Sequence, residues 1–234
     1  MPLSNLRSLR NERGTTLVEL LVALMAGMVI ISALTMVIMT TMHGTARVVA
    51  RVEATQRARL ALVKLMQELH SACVSPEIAP IKEKSEGNKL RFVHQTGSEV
   101  QPTPVLTVVT YSNGALKQAD FAYKSGVAPN WTFNEEKPIS SQTLLTKVAP
   151  VSPSSSIFSY YRYASGTLST TPQATPLSET ESLLTVEVQA ALTAEPEKAT
   201  AIQNAGSNAT VRNAATLRLT PPSFNEGSPA KPCA

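Results

Sequence analysis

Arg13-Gly14-Thr15-Thr16-Leu17-Val18-Glu19-Leu20-Leu21-Val22-Ala23-Leu24-Met25 places a basic residue, a small residue and the start of a long apolar run in that order. Between Leu17 and Met39 the only charged residue is Glu19. A helix over these roughly 23 residues reaches about 34 Å at about 1.5 Å per residue, enough to cross a hydrocarbon core of about 30 Å. The stretch therefore reads as a membrane-spanning helix, and the rest of the chain is organised by it.

Glu19 asks for a reason, because a carboxylate at the centre of a bilayer costs about 2.5–3.5 kcal/mol on insertion scales, and less near an interface. Cutting the chain after Gly14 supplies one. The new amino group at Thr15 would lie one helical turn before Glu19, or would meet the Glu19 of a neighbouring chain inside an apolar bundle. An ordinary secretory signal fits less well, since its apolar core is about 7–15 residues long and is cut after that core, not before it. A plain signal anchor, with Glu19 tolerated as an interfacial charge, is the simpler alternative.

Gly14 followed by Thr15-Thr16-Leu17-Val18-Glu19-Leu20-Leu21-Val22-Ala23 resembles the processing site of type IV pilins and pseudopilins. The resemblance implies a prepilin peptidase that cuts between Gly14 and Thr15 and N-methylates Thr15. It also makes Glu19 the family's glutamate, fifth after the cut, with a role in assembly. Most members begin their mature chain with phenylalanine, where this one has Thr15. The motif covers about the first tenth of the chain.

Moving outward, Arg7, Arg10 and Arg13 against Glu12 make the first fourteen residues basic, and basic flanks stay on the cytoplasmic side of a span. Everything after Met39 is then expected outside the membrane. Removing those three basic residues and one acid from totals of 21 and 17 leaves a net charge of +2, too weak for a dedicated nucleic-acid surface. Ser32 and Thr35 inside the span can return their hydroxyls to carbonyls one turn back. Gly27 and Gly44 weaken the helix and allow a bend or a close neighbour.

No proline occurs between Thr15 and Ser75, and Ala58, Leu62, Leu65 or Met66, Leu69 and Cys73 recur at helical spacing. One long helix is expected over 15–73, with its membrane-spanning part at 17–39 and its end enforced by Ser75-Pro76. Gln56-Arg57-Ala58-Arg59-Leu60-Ala61-Leu62, followed by Leu65, Glu68 and Leu69, is similar to PilW-like minor pilins and J-type pseudopilins.

A polar linker over 74–88 follows, its Lys82, Glu83, Lys84, Glu86 and Gly87 read as solvent-exposed. The period then changes to alternation. Strands are expected at Leu90 to Gln95, Val105 to Tyr111 and Ala115 to Tyr123, the last two joined by an Asn113-Gly114 hairpin turn. Further strands are expected at Gln142 to Val148, Ile157 to Tyr163, Leu183 to Leu192 and Ala214 to Thr220. The stretch Ala164 to Glu179 reads as a loop rich in Ser, Thr and Pro. An apolar sheet face and an apolar helix stripe bury each other when one lies on the other. The expected architecture is therefore α+β: a leader at 1–14, the long helix, an antiparallel β domain at 89–220 and a proline-rich tail at 221–234. The resemblance implies the same, a pilin-like fold.

No signature of an enzyme appears: there is no His-Glu-x-x-His, Gly-x-Ser-x-Gly, glycine-rich phosphate loop or Cys-x-x-Cys. His43, His70 and His94 have no evident nucleophile or metal partner by spacing, so no catalytic residue, metal or cofactor is expected. Phe158, Tyr160, Tyr161 and Tyr163 around Arg162 are what a strand ordinarily contains, although aromatic residues can also stack on bases. Cys73 and Cys233 are the only cysteines and fall on the oxidising side, so a bridge between them is expected, with free thiols or pairing with another subunit as the alternatives. The reading that follows is a minor pilin or pseudopilin of a type IV pilus or a related secretion or competence filament. Its implied partners are the prepilin peptidase, the major pilin, sister minor pilins, and the assembly platform with its ATPase. It would begin as a single-pass precursor in the cytoplasmic membrane and end in a cell-surface filament. The rival is a signal-anchored extracellular binding module or enzyme that never polymerises.

Overall fold

The computed structural model describes residues 16–72, 79–98, 101–127, 130–197 and 207–217. The chain divides into two compact units, Met1–Ala46 and Arg47–Ala234. Helix α1, Leu17–His70, contributes 54 residues and is the described part of the first unit as well as the opening of the second.

In the second unit α1 buries Ala58, Leu62, Leu65, Met66 and Leu69, the described part of the stripe expected from the spacing, together with Ala50, Ala54 and Ala61. The first half of this buried face is alanine and its second half is leucine and methionine. Ala54 and Ala58 are fully buried, so neighbouring side chains come down onto the helix backbone there, while the leucines fill the wider space further along. The helix ends at His70, three residues before the expected Cys73. The Ser71 N–H donates to both Gln67 O and Glu68 O, at 3.2 and 3.1 Å, and the Ala72 N–H donates to Leu69 O at 3.1 Å, a tightened last turn that stops the helix ahead of Ser75-Pro76.

Two antiparallel sheets receive this stripe. The first contains β1 (Lys89–Ser98), β2 (Gln101–Ser112), β3 (Ala115–Ser125) and β5 (Ser140–Thr146) in the order β1-β2-β3-β5, and β4 (Thr132–Phe133) also pairs with β3. Asn113 and Gly114 turn the β2–β3 hairpin at φ of 49° and 71°, the left-handed pair that an Asn-Gly turn requires. From Val105 to Val109 every residue of β2 is buried. A strand between two neighbours with both faces covered loses the alternation that a half-buried strand would show.

The second sheet is β11 (Ala209–Thr216), β10 (Glu187–Ala194) and, sharing the far edge of β10, β6 (Val148–Ala149) and β7 (Phe158–Tyr161). Strand β10 alternates buried and half-buried along its whole length. The core joins α1 to both sheets through Leu90, Phe92, Val109, Leu116, Phe158, Tyr160, Val188 and Leu192. A smaller cluster, Val93, Leu106 and Val108, lies apart from it and is covered by Phe121, Trp131 and Phe133.

Four expected boundaries move. The strand expected over Gln142 to Val148 is two, because Lys147 at φ 53° takes the chain out of β5 and into β6 of the other sheet. The strand expected over Ile157 to Tyr163 is broken after Tyr161. Beyond Arg162 a small hairpin, β8 (Tyr163–Ala164) with β9 (Thr167–Leu168), turns on Ser165 and Gly166 within the expected loop. The start of the strand expected over Leu183 to Leu192 is helix α2, Glu179–Leu184, so β10 begins only at Glu187. The last strand begins at Ala209, five residues earlier than expected, and ends at Thr216.

Of the linker, residues 79–88 are described: Glu83, Lys84 and Glu86 are exposed as expected, while Lys82 and Gly87 are half-buried and the segment packs along β1. Ile81 is fully buried and bridges Phe92 of β1, and the Val93 N–H donates to Pro80 O at 2.8 Å. Ser85 is also fully buried: its hydroxyl donates to Lys82 O at 2.7 Å and accepts from the Arg91 N–H at 3.1 Å. On its other side the Leu177 N–H donates to Ser85 O at 2.9 Å. The segment thus covers the outer edge of β1, satisfying backbone groups that would otherwise template pairing with another chain.

Candidate functional site: the apolar run of the helix and its single carboxylate

The helix start is specified locally. The Leu20 N–H donates to Thr16 O at 3.1 Å, and the Glu19 N–H donates to the Thr16 hydroxyl at 3.3 Å. Thr16 is therefore the residue that caps α1, and Glu19 stands in the first turn. A carboxylate there sits against the positive end of the helix dipole, which favours it by about 0.3–1 kcal/mol. Glu19 thus has a role even with no second chain present. Gly14 and Thr15, the two residues of the expected cut, lie outside the described residues, as do Cys73 and Cys233.

From Leu17 to Met39 the large apolar side chains are between 48% and 79% exposed, and none of the most apolar window of the helix is buried within the protein. The polar side chains of the run are quiet. Ser32 and Thr35 donate to Met28 O and Ile31 O, each at 2.8 Å. Thr40, Thr41 and Thr45 repeat the pattern at 2.8–3.0 Å. A hydroxyl that bonds its own backbone presents little polar surface to lipid. Gly27 and Gly44 have open space where a Cβ would point, so nothing in the described chain packs closely against either. The helix is long and apolar enough to cross a membrane, and among the described residues it is the only one that is.

The other residues singled out in the sequence do not converge. His43 and His70 are exposed on α1, and His94 is half-buried on β1. No group of three His, Cys, Asp or Glu side chains among the described residues is placed to hold a metal ion. Phe158 and Tyr160 belong to the core. The Tyr160 hydroxyl donates towards Glu86 O and Lys89 O at 3.0 and 3.1 Å, and burial pushes its pKa well above the ordinary phenol range. Both rings are therefore buried and offer no face for stacking, and the Tyr160 hydroxyl braces the segment around Glu86. Tyr161 is half-buried, and its hydroxyl bonds Gln189 at 3.2 Å.

Two features of the second unit escaped sequence reading. One is a polar clasp between α1 and β3, where the buried Gln118 amide donates to Glu68 Oε2 at 2.8 Å and to Asp120 Oδ1 at 3.1 Å. Asp120 also accepts from the Thr107 hydroxyl at 2.8 Å. The other is a groove beside β4, built from residues scattered over five segments of the chain. No family model, curated protein or solved structure matches the chain.

Proposed function

We propose that the chain is a minor pilin or pseudopilin: a precursor held in the cytoplasmic membrane by α1, cut between Gly14 and Thr15, N-methylated at Thr15 and assembled into a filament through the same helix. The observation that carries this reading is the first half of α1, an apolar surface left unburied by the described chain whose only charge between Leu17 and Met39 is Glu19. That surface needs an apolar environment, which lipid supplies before assembly and a bundle of sister helices supplies afterwards. Glu19 is tolerable near a membrane interface and useful in a bundle, where the new amino group of a neighbour would pair with it.

The partners on this reading are the prepilin peptidase, the major pilin, other minor pilins and the platform and ATPase that extract subunits. The β-rich second unit would be carried outside the membrane, away from the basic leader. A second reading, a surface domain anchored by α1 that never polymerises, draws on the place of Glu19 in the first turn, where a carboxylate stabilises α1 without any neighbour.

Recovery of the chain in sheared filaments separates them, since an anchored monomer stays with the membrane, and Glu19→Val tests what the carboxylate contributes. The filament reading expects membrane insertion to be intact or improved, because a charge has left the apolar run, while recovery of the chain in sheared filaments falls severalfold. If the variant enters filaments as well as the parent, Glu19 serves only the local helix start.

A further inference from the structure

The groove in the second unit has a volume of about 660 Å³, within the range of about 300–1,000 Å³ usual for small-molecule sites. Lys82 and Arg91 line one side, Leu106, Trp131 and Phe133 form an apolar wall, and Glu179 comes from α2. The wall is fixed, because Trp131 and Phe133 pack on the Val93, Leu106 and Val108 cluster.

The polar side is arranged to use both donors and acceptors. The side chain of Arg91 is only 11% exposed, and one terminal nitrogen donates to Glu135 Oε1 at 2.7 Å. Its Nε is buried and has no hydrogen-bond partner within the protein. It is the ion pair that fixes a guanidinium beside a carboxylate in the groove lining, a combination suited to a group that accepts from one and donates to the other. Lys82 is held below the usual lysine range by burial, against the opposing pull of the Glu83 and Glu179 carboxylates.

The charge balance restricts the ligand. Two cations, Lys82 and Arg91, face three carboxylates, Glu83, Glu135 and Glu179. With both signs interspersed, an anion meets Glu83, Glu135 and Glu179 and a cation meets Lys82 and Arg91, so the groove offers neither of them a site of one sign. A peptide bound by strand addition would need a longer edge than β4, which has two residues. A sugar ring satisfies each requirement. Its hydroxyls both donate and accept, it carries no charge, and its flat C–H face can lie on an indole.

We propose that this groove is a binding site for a neutral saccharide, with Trp131 as the stacking surface and Arg91, Glu135 and Asn130 as the hydroxyl partners. The site lies wholly within the second unit, so it stands whether or not the chain enters filaments.

Trp131 is the only tryptophan in the chain, so its emission reports directly on the groove. The full chain in a detergent without a sugar headgroup would be titrated with maltotriose, cellotriose and triacetylchitotriose, and separately with inorganic phosphate and trialanine. The expected result is a saturable change in emission with at least one trisaccharide and none with the other two probes. Arg91→Lys and the exposed-site change Asn130→Ala should each weaken that response at least about tenfold, the latter with no change in melting temperature. No response to any of the three trisaccharides overturns the proposal. So does a response to phosphate or trialanine alone, or a saccharide response that both variants keep unchanged.

Discussion

At the scale of single residues, small side chains in close quarters matter more than the charged ones around them. Gly87 looked like one more marker of a solvated linker, but a Cβ built there would lie 2.7 Å from Ser156 Cβ. Its own carbonyl also accepts from the Phe158 N–H at 2.8 Å, so the backbone cannot simply back away. Gly87→Ala should therefore destabilise the second unit by about 1–3 kcal/mol, the usual cost of overpacking. Thermal unfolding of the full chain in detergent measures it, and an unchanged melting temperature would mean that the Ser156 segment yields freely. Nothing in the sequence around Gly87 announces this contact, because Ser156 is brought there by β7. Thr16 is the opposite case, since Thr-x-x-Glu before an apolar run is a start signal legible in the residues themselves.

At the scale of elements, spacing was a good guide wherever one face was buried and a poor one where two signals overlapped. The stripe from Ala58 to Leu69 and the alternation of β10 were plain, as was the Asn113-Gly114 turn. The stretch before β10 also alternates, yet Ser178 and Glu181 form a reciprocal cap, Glu181 N–H to Ser178 Oγ at 3.3 Å and Ser178 N–H to Glu181 Oε2 at 2.9 Å, and it folds as α2. That Ser-x-x-Glu was present in the sequence and outweighs strand propensity over so short a run. The clasp between α1 and β3 was invisible, because Glu68 and Gln118 are fifty residues apart. Burial raises the pKa of Glu68 and the nearby Asp120 carboxylate raises it further, against lesser opposing effects of Lys64 and the Gln118 amide. A carboxyl whose folded pKa is raised adds stability that is complete below its unfolded pKa and is lost as pH rises through the folded value. The melting temperature of the parent relative to Glu68→Gln should therefore fall as pH is raised from below about 4.5 toward neutrality. A difference that stays flat with pH would remove Glu68 as the cause.

At the scale of the whole molecule, the class α+β was legible because a long helix with an apolar stripe and strands with apolar faces have few ways to bury both. That the strands form two sheets was not legible, because the switch rests on the conformation of Lys147, a residue with no special propensity for positive φ. The groove was equally hidden, since its wall and its polar side meet only after β1, β4 and α2 have been placed. If Cys73 and Cys233 pair, the bridge closes most of the second unit into one loop, worth at most about 5 kcal/mol on a chain-entropy argument. Thiol alkylation without reductant should then leave the mature chain unlabelled and monomeric. Two labelled thiols would exclude the bridge, and a covalent dimer would place the pairing between subunits. The central claim, a filament subunit matured between Gly14 and Thr15, is tested most directly by the intact mass of this chain in the sheared-filament fraction. The account predicts that the chain is present there with the mass of residues 15–234 plus one methyl group, corrected for any disulfide. A chain that stays with the membrane, or that retains residues 1–14, would contradict it.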